Sequence, residues 1–148
     1  MRTETKWAII ATVVLFIWMF IEKLAGLQTA EKFGAWAIVD LIAKLVMWVV
    51  IFLLFLREKR DGDFGGSMSW KQGFWSAAVM SLVFIPLGAM AVYLFLCCVN
   101  PNFAQVFGDK VNDGKSGMND YLFATARYGV FRGLLFSLIF PLLTRRSA

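Results

Sequence analysis

An all-α membrane protein, a single bundle of four transmembrane helices, is the fold class this chain predicts, and three observations predict it. Four apolar runs, at about 7–22, 33–56, 74–99 and 121–143 of the 148 residues, are each close to the roughly 17–25 residues a helix needs to cross a bilayer. They do not alternate polar with apolar residues as barrel strands would, and lipid permits only helices or closed barrels because it offers the backbone no hydrogen-bond partner. The composition is 59% hydrophobic with 15 Phe and 6 Trp, more apolar surface than one water-soluble core of this size can hide.

The first run follows Arg2 and Lys6, as a secretory signal would. No small-x-small cleavage site follows Ile21, and "LAGL" at 24–27 lacks a lipoprotein cysteine, so the run reads as a retained span. After the second run, "REKRDGDFGGSMSW" at 57–70 combines basic residues with Gly62, Gly65 and Gly66, which suits a tight turn. A phosphate-cradling loop would need a longer glycine fingerprint and a preceding strand. Pro86 lies inside the third run and predicts a kink there.

The stretch 100–120 is too long to be structureless in so compact a protein. Asn100 as N-cap, Pro101 at the first helical position and Gly108 beyond the end predict a short helix. It groups Phe103, Val106 and Phe107 on one side, which is expected to lie on the outer membrane interface. Next comes "DKVNDGKSGMND" at 109–120, a partial imitation of a calcium-binding EF-hand loop with Gly114 at the sixth position. Val111 brings no side-chain oxygen to the third position and Asp120 is shorter than the usual Glu, so an ordinary Asp/Gly turn is expected. In the fourth run Gly129 and Gly133 form G-x-x-x-G, and Ala77 with Ser81 forms a small-x-x-x-small pair in the third, so helix backbones can approach closely at both.

Orientation follows from the cations near the membrane. With both termini on one side, Arg2, Lys6, Arg57, Lys59, Arg60, Lys71, Arg145 and Arg146 share a face, against Lys23, Lys32, Lys110 and Lys115 on the other. That asymmetry predicts cytoplasmic termini. Trp7, Trp36, Trp70 and Trp75 then fall near interfaces, where an indole anchors well. The net charge of +5 is carried mostly beside the apolar runs, where it meets lipid headgroups, so no nucleic-acid partner is expected.

With no histidine in the chain, Ser-His and Cys-His nucleophiles and His-ligated metals are excluded. Cys97 and Cys98 are adjacent, badly placed to bridge each other and too few for zinc; they read as small apolar fillers, with an intermolecular disulfide as the alternative. No dinucleotide, kinase or protease signature is present, and no cofactor or metal is expected.

Charged residues inside the spans are the candidate functional site, because each costs a few kcal/mol in lipid and usually faces the bundle interior. At about 1.5 Å per residue, Asp40 and Arg127 lie roughly 24 Å above the inner boundary, and Lys44 and Arg132 roughly 17 to 18 Å above it. Glu22 lies roughly 22 Å above Trp7. Asp40 and Lys44, four residues apart, can form an intrahelical ion pair. Arg127 and Arg132 are roughly 140° apart around their helix and cannot both point squarely into one site. The five read either as a structural ion-pair network or as the lining of a solute or proton path, with Lys44 and Arg132 suited to an anion.

The basic "LREKRDGDFGGSMSWKQGF", the junction "CVNPNF" and the ending "GLLFSLIFPLLTRR" resemble domain-of-unknown-function family 4199 over about residues 5–146. Arg57, Gly65, Gly66, Gly73, Phe74, Pro101 and Phe103 carry the resemblance. It implies a bacterial inner-membrane protein of four helices and brings no catalytic or binding residue with it. The functional expectation is a non-enzymatic membrane protein acting through assembly, as a dimer or larger homo-oligomer or with a protein partner that the sequence does not identify. A small channel or transporter for an anion or proton-coupled solute is the alternative. A lipid-acting enzyme using Asp40 or Glu22 ranks third, since no nucleophile accompanies them.

Overall fold

The computed structural model describes residues 2–111 and 117–144. Helix α1 spans Thr3–Leu24, and α2 spans Phe33–Glu58 and continues through a π-helical turn, Lys59–Asp63. Helix α3 spans Trp70–Leu94 with a second π turn, Phe95–Val99; α4 is Pro101–Val111 and α5 is Gly117–Thr144. Four of the helices, α1, α2, α3 and α5, are long and apolar enough to cross a membrane. Within the bundle α3 packs along both α1 and α5, while α2 closes the fourth corner and touches α1 and α5 more sparsely and α3 least.

Each spanning helix buries a narrow stripe and leaves the rest apolar for lipid. On α1 the buried residues are Glu4, Ala8, Ala11, Leu15, Met19 and Glu22, the three-and-four spacing of a single helix face. Ile9, Val13, Ile17 and Phe20, on the other side, are exposed. On α2 burial is concentrated near one end, at Trp48, Ile51, Phe52, Phe55 and Leu56. There Trp48 meets Phe84 edge-on at 4.4 Å, and Phe52 lies 5.4 Å from Phe136 and 6.2 Å from Phe140. These rings fill the half of the bundle that carries the start of α1 and the last turns of α5.

At that termini end, polar contacts tie α1 to the continuation of α2. Lys59 pairs with Glu4 at 2.7 Å and with Asp63, Lys6 pairs with Glu58 at 2.7 Å, and the Trp7 indole donates to Glu58 at 3.0 Å. The turn into α3 uses positive φ at Gly65 and Gly66, which only glycine adopts without strain. Ser69 and Gln72 then form a capping box, an S-x-x-Q signature legible in the sequence. Helix α3 runs on through Pro86.

The α3/α5 contact depends on small residues. A Cβ on Gly133 would stand 2.7 Å from the Ser81 Cβ, whereas one on Gly129 would meet only Ile85 at an ordinary 3.7 Å. The G-x-x-x-G face is therefore used inside the protomer, and Gly133 is its critical member.

Three expectations change. Helix α4 continues past Gly108 to Val111, and its Phe103 and Phe107 pack on Trp36 and Tyr121 at the end of the bundle instead of facing the membrane interface. Trp36 is thus 4% exposed and is no interfacial anchor; the end of the bundle leaves an aromatic gap between α2 and α5 that α4 fills. Cys97 and Cys98 are free and exposed on the π turn, so they do not serve as core fillers. The EF-hand-like stretch lies partly outside the described residues, at 112–116.

Candidate functional site

At the α4 end, the interior is polar. Glu22 is the last member of the α1 stripe and is only 1% exposed. The loop after α1 folds back so that the Gln28 amide donates to Glu22 Oε2 at 3.3 Å and to the Met19 carbonyl at 3.2 Å. Gln28 in turn accepts from the Asn100 amide at 2.7 Å, and Lys23 donates to the Val99 carbonyl, fastening this loop to the junction of α3 and α4. No salt bridge reaches Glu22 among the described residues.

One stripe of α2, Trp36, Asp40, Lys44 and Trp48, carries the next groups at four-residue spacing. The Lys44 ammonium lies 2.7 Å from Asp40 Oδ1 and 2.8 Å from Oδ2, and both residues are within electrostatic reach of Glu22. From α5, Tyr121 and Arg132 share a face. Arg132 Nε donates to the Tyr128 carbonyl at 3.1 Å, and its guanidinium lies over the Trp48 ring, 6.0 Å from the centroid. Asp40 is within electrostatic reach of Arg132, but the two form no ion pair.

The structure thus brings Glu22, Asp40, Lys44 and Arg132 to one region and leaves Arg127 outside it. Arg127 is exposed, its guanidinium 5.9 Å from the neighbouring Tyr128 ring. Gly129 and Gly133 lie on the α3 side of α5. Gln28, Trp36, Asn100 and Tyr121 also belong to the site but do not stand out in the sequence as polar site residues. For Trp36 the signal was its position one turn before Asp40. For Tyr121 it was its position three turns before Arg132.

Three buried polar atoms in this region have neither a hydrogen bond nor an ion pair, Glu22 Oε1, Trp36 Nε1 and Tyr121 Oη, with the Trp36 indole beside the Glu22 carboxylate; Asp40 Oδ1 lies 2.7 Å from the Lys44 ammonium. Trp18 Nε1, on α1, is a further buried polar atom without a hydrogen bond among the described residues. Above the cluster lies an aromatic lid, in which Trp36 and Phe103, and Phe107 and Tyr121, are each 4.8 Å apart. Beside the lid a polar pocket of about 350 Å³, lined by Lys23, Gln28, Asn100 and Asn102 among others, opens at the α4 end. Its Gln28 wall is also the residue that touches Glu22. Toward the termini end the way is filled by Trp48, Phe52, Phe84 and Phe136.

A helical bundle with four membrane-crossing segments and a charge cluster enclosed between them defines a multi-pass membrane protein. The chain belongs to the family described as protein of unknown function (DUF4199), whose model matches residues 6–146. No curated protein and no solved structure matches it.

Proposed function

We propose that this is a non-enzymatic protein of the bacterial inner membrane that binds a small polar solute or ion at the Glu22–Asp40–Lys44–Arg132 cluster, entering from the α4 side. The observation that carries this reading is the convergence, beside the Asp40–Lys44 ion pair, of three buried polar atoms from three helices that have no hydrogen bond: Glu22 Oε1, Trp36 Nε1 and Tyr121 Oη. Leaving each unmet costs about 1–3 kcal/mol, so a purely structural network is a poor account of them. The pocket at the α4 end, which shares Gln28 with the cluster, lies on the side of approach, and aromatic side chains fill the bundle beyond Arg132 in this conformation. That arrangement suits a carrier or a sensor better than an open pore.

Purified protein in detergent and in liposomes tests it. A panel of chloride, fluoride, phosphate, protons and small cations should include at least one that raises the melting temperature saturably or crosses the membrane. The response should weaken in Asp40→Asn and Arg132→Gln. A panel in which nothing binds and nothing moves sinks the reading.

Assembly is the second reading, and Arg127 is the observation favouring it. An exposed guanidinium within a spanning helix is costly unless it snorkels or meets an acidic group or a lipid phosphate. A second protomer could supply that group through a face other than Gly129 and Gly133. Native mass measurement should then show a dimer that Arg127→Leu dissociates, and a monomer at all concentrations would exclude it.

A further inference from the structure

We propose that the polar pocket at the α4 end is a phosphate-ester site, which holds the anionic phosphodiester headgroup of a phosphatidylglycerol-type lipid from the leaflet on that side. The site goes beyond the solute reading, since only its Gln28 wall is shared with the charge cluster.

The ends of two spanning helices build the pocket. Lys23 lies in the last turn of α1, whose span ends at Leu24, and Asn100 directly follows the span that ends at Val99. Lining residues from both segments therefore sit just past the apolar spans, at the level of lipid headgroups. Positive φ at Gly26 turns the chain back over the end of α1. The Asn100 amide donates to Gln28 at 2.7 Å and Lys23 donates to the Val99 carbonyl, so the two walls are fastened to each other.

The lining selects an anion. Among the described residues Lys23 is the one ionisable side chain in it, and no carboxylate lines the pocket. An ammonium has three N–H groups; one is used on Val99 and two remain for a ligand. Thr29, Asn100 and Asn102 add neutral hydrogen-bonding groups, and Asn102 is in the first turn of α4, where backbone N–H groups favour negative charge. One positive charge among neutral donors and acceptors matches a monoanionic phosphodiester that carries hydroxyls. The ammonium of an ethanolamine headgroup would instead bring a second cation beside Lys23 with no carboxylate to meet it. At about 350 Å³ the cavity is at the small end of ligand sites, which run from roughly 300 to 1,000 Å³, and suits a headgroup of this size.

The border of the pocket favours a lipid as the source of the phosphate. Ile17, Phe20, Ile21 and Leu24 leave an exposed apolar strip on α1 that ends at the turn carrying Lys23, where acyl chains can lie while the headgroup occupies the pocket. The polar pocket at the termini end differs in its charge. Arg2, Thr3, Glu4, Lys59 and Asp63 line it, and Lys59 is held by both Glu4 and Asp63, so its charges are already balanced.

The experiment is native mass measurement and thermal unfolding of the full chain in mild detergent, with added phosphatidylglycerol or phosphatidylcholine, and separately with glycerol phosphate or inorganic phosphate. One phosphatidylglycerol should stay bound, about fivefold or more in preference to phosphatidylcholine, and should raise the melting temperature. Lys23→Gln should remove the preference. Because Lys23 also fastens the junction at Val99, Asn102→Asp is the second variant: it removes no side-chain hydrogen bond among the described residues, puts a carboxylate into the lining, and should weaken retention about fivefold or more. Lys71→Gln, at an exposed lysine of the termini end, should leave retention unchanged. Equal retention of the two lipids, retention unchanged in Asn102→Asp, or a loss in Lys71→Gln equal to that in Lys23→Gln overturns the proposal. If glycerol phosphate or inorganic phosphate binds as tightly as the lipid and Asn102→Asp abolishes it, the phosphate chemistry holds and the lipid source is wrong. A phosphate response that Arg132→Gln removes and Asn102→Asp leaves intact belongs to the charge cluster, and so supports the solute reading and overturns this site.

Discussion

The Lys44 ammonium reaches both oxygens of Asp40, one helical turn earlier on α2, while Arg132, on the facing helix, donates to its own backbone at Tyr128. Of the two cations near mid-depth, only Lys44 is the partner of this half-buried carboxylate. A double-mutant cycle with Asp40→Asn and Lys44→Met should give a coupling of about 0.5–3 kcal/mol in unfolding free energy. The corresponding cycle with Arg132→Gln should be additive to within about 0.5 kcal/mol. Equal couplings would mean that Arg132 is also a direct partner of Asp40.

The two glycines of the G-x-x-x-G motif should behave differently. Gly133→Ala pushes a methyl group against Ser81 and should destabilise the bundle by about 1–3 kcal/mol, whereas Gly129→Ala should stay within about 0.5 kcal/mol of the parent. Adding Ser81→Gly to Gly133→Ala should recover part of the loss. Thermal unfolding in mild detergent measures all of them, and equal effects of the two alanines would contradict the packing.

At the termini end, two ion pairs of similar length differ in exposure. Lys59 and Glu4 are each 11% exposed in their side chains, against 44% and 41% for Lys6 and Glu58. Lys59→Met leaves Glu4 enclosed without a partner and should cost more than 1 kcal/mol, while Lys6→Met should cost less than about 1 kcal/mol and matter less still in high salt. A larger loss from Lys6→Met than from Lys59→Met would reverse this order.

Orientation can be read with the protein's own thiols. Cys97 and Cys98 are exposed at the α4 end, so a membrane-impermeant maleimide should label them in intact cells. A single cysteine at Ser67, in a background lacking both, should label only after the membrane is opened. The opposite pattern would place the termini outside, against the cation asymmetry.

Class and number of spans were legible from the chain alone, because the cost of exposing backbone or charge to lipid acts residue by residue. A run of apolar residues as long as a bilayer is thick needs no partner to be recognised, and the family resemblance through "CVNPNF" and the basic turn added agreement. The pairing of Asp40 with Lys44 was equally local, since one helical turn places them together whatever surrounds α2. The 140° separation of Arg127 and Arg132 likewise required that they diverge.

Which of the two arginines turns inward was decided only by the rotation of α5 against α3, set by Gly133 meeting Ser81. The same holds for Trp36. Its sequence position near a helix end suits an interfacial anchor, but the Phe103 and Phe107 face of α4 covers it, and that docking depends on residues more than 60 positions away. Glu22, Trp36 and Tyr121 come from three different helices, so their polar atoms without a hydrogen bond could be seen to converge only once those helices were packed. Local energetics are written in the order of residues; which side chains meet depends on how each helix is turned about its axis, and that is settled by contacts distant in the chain.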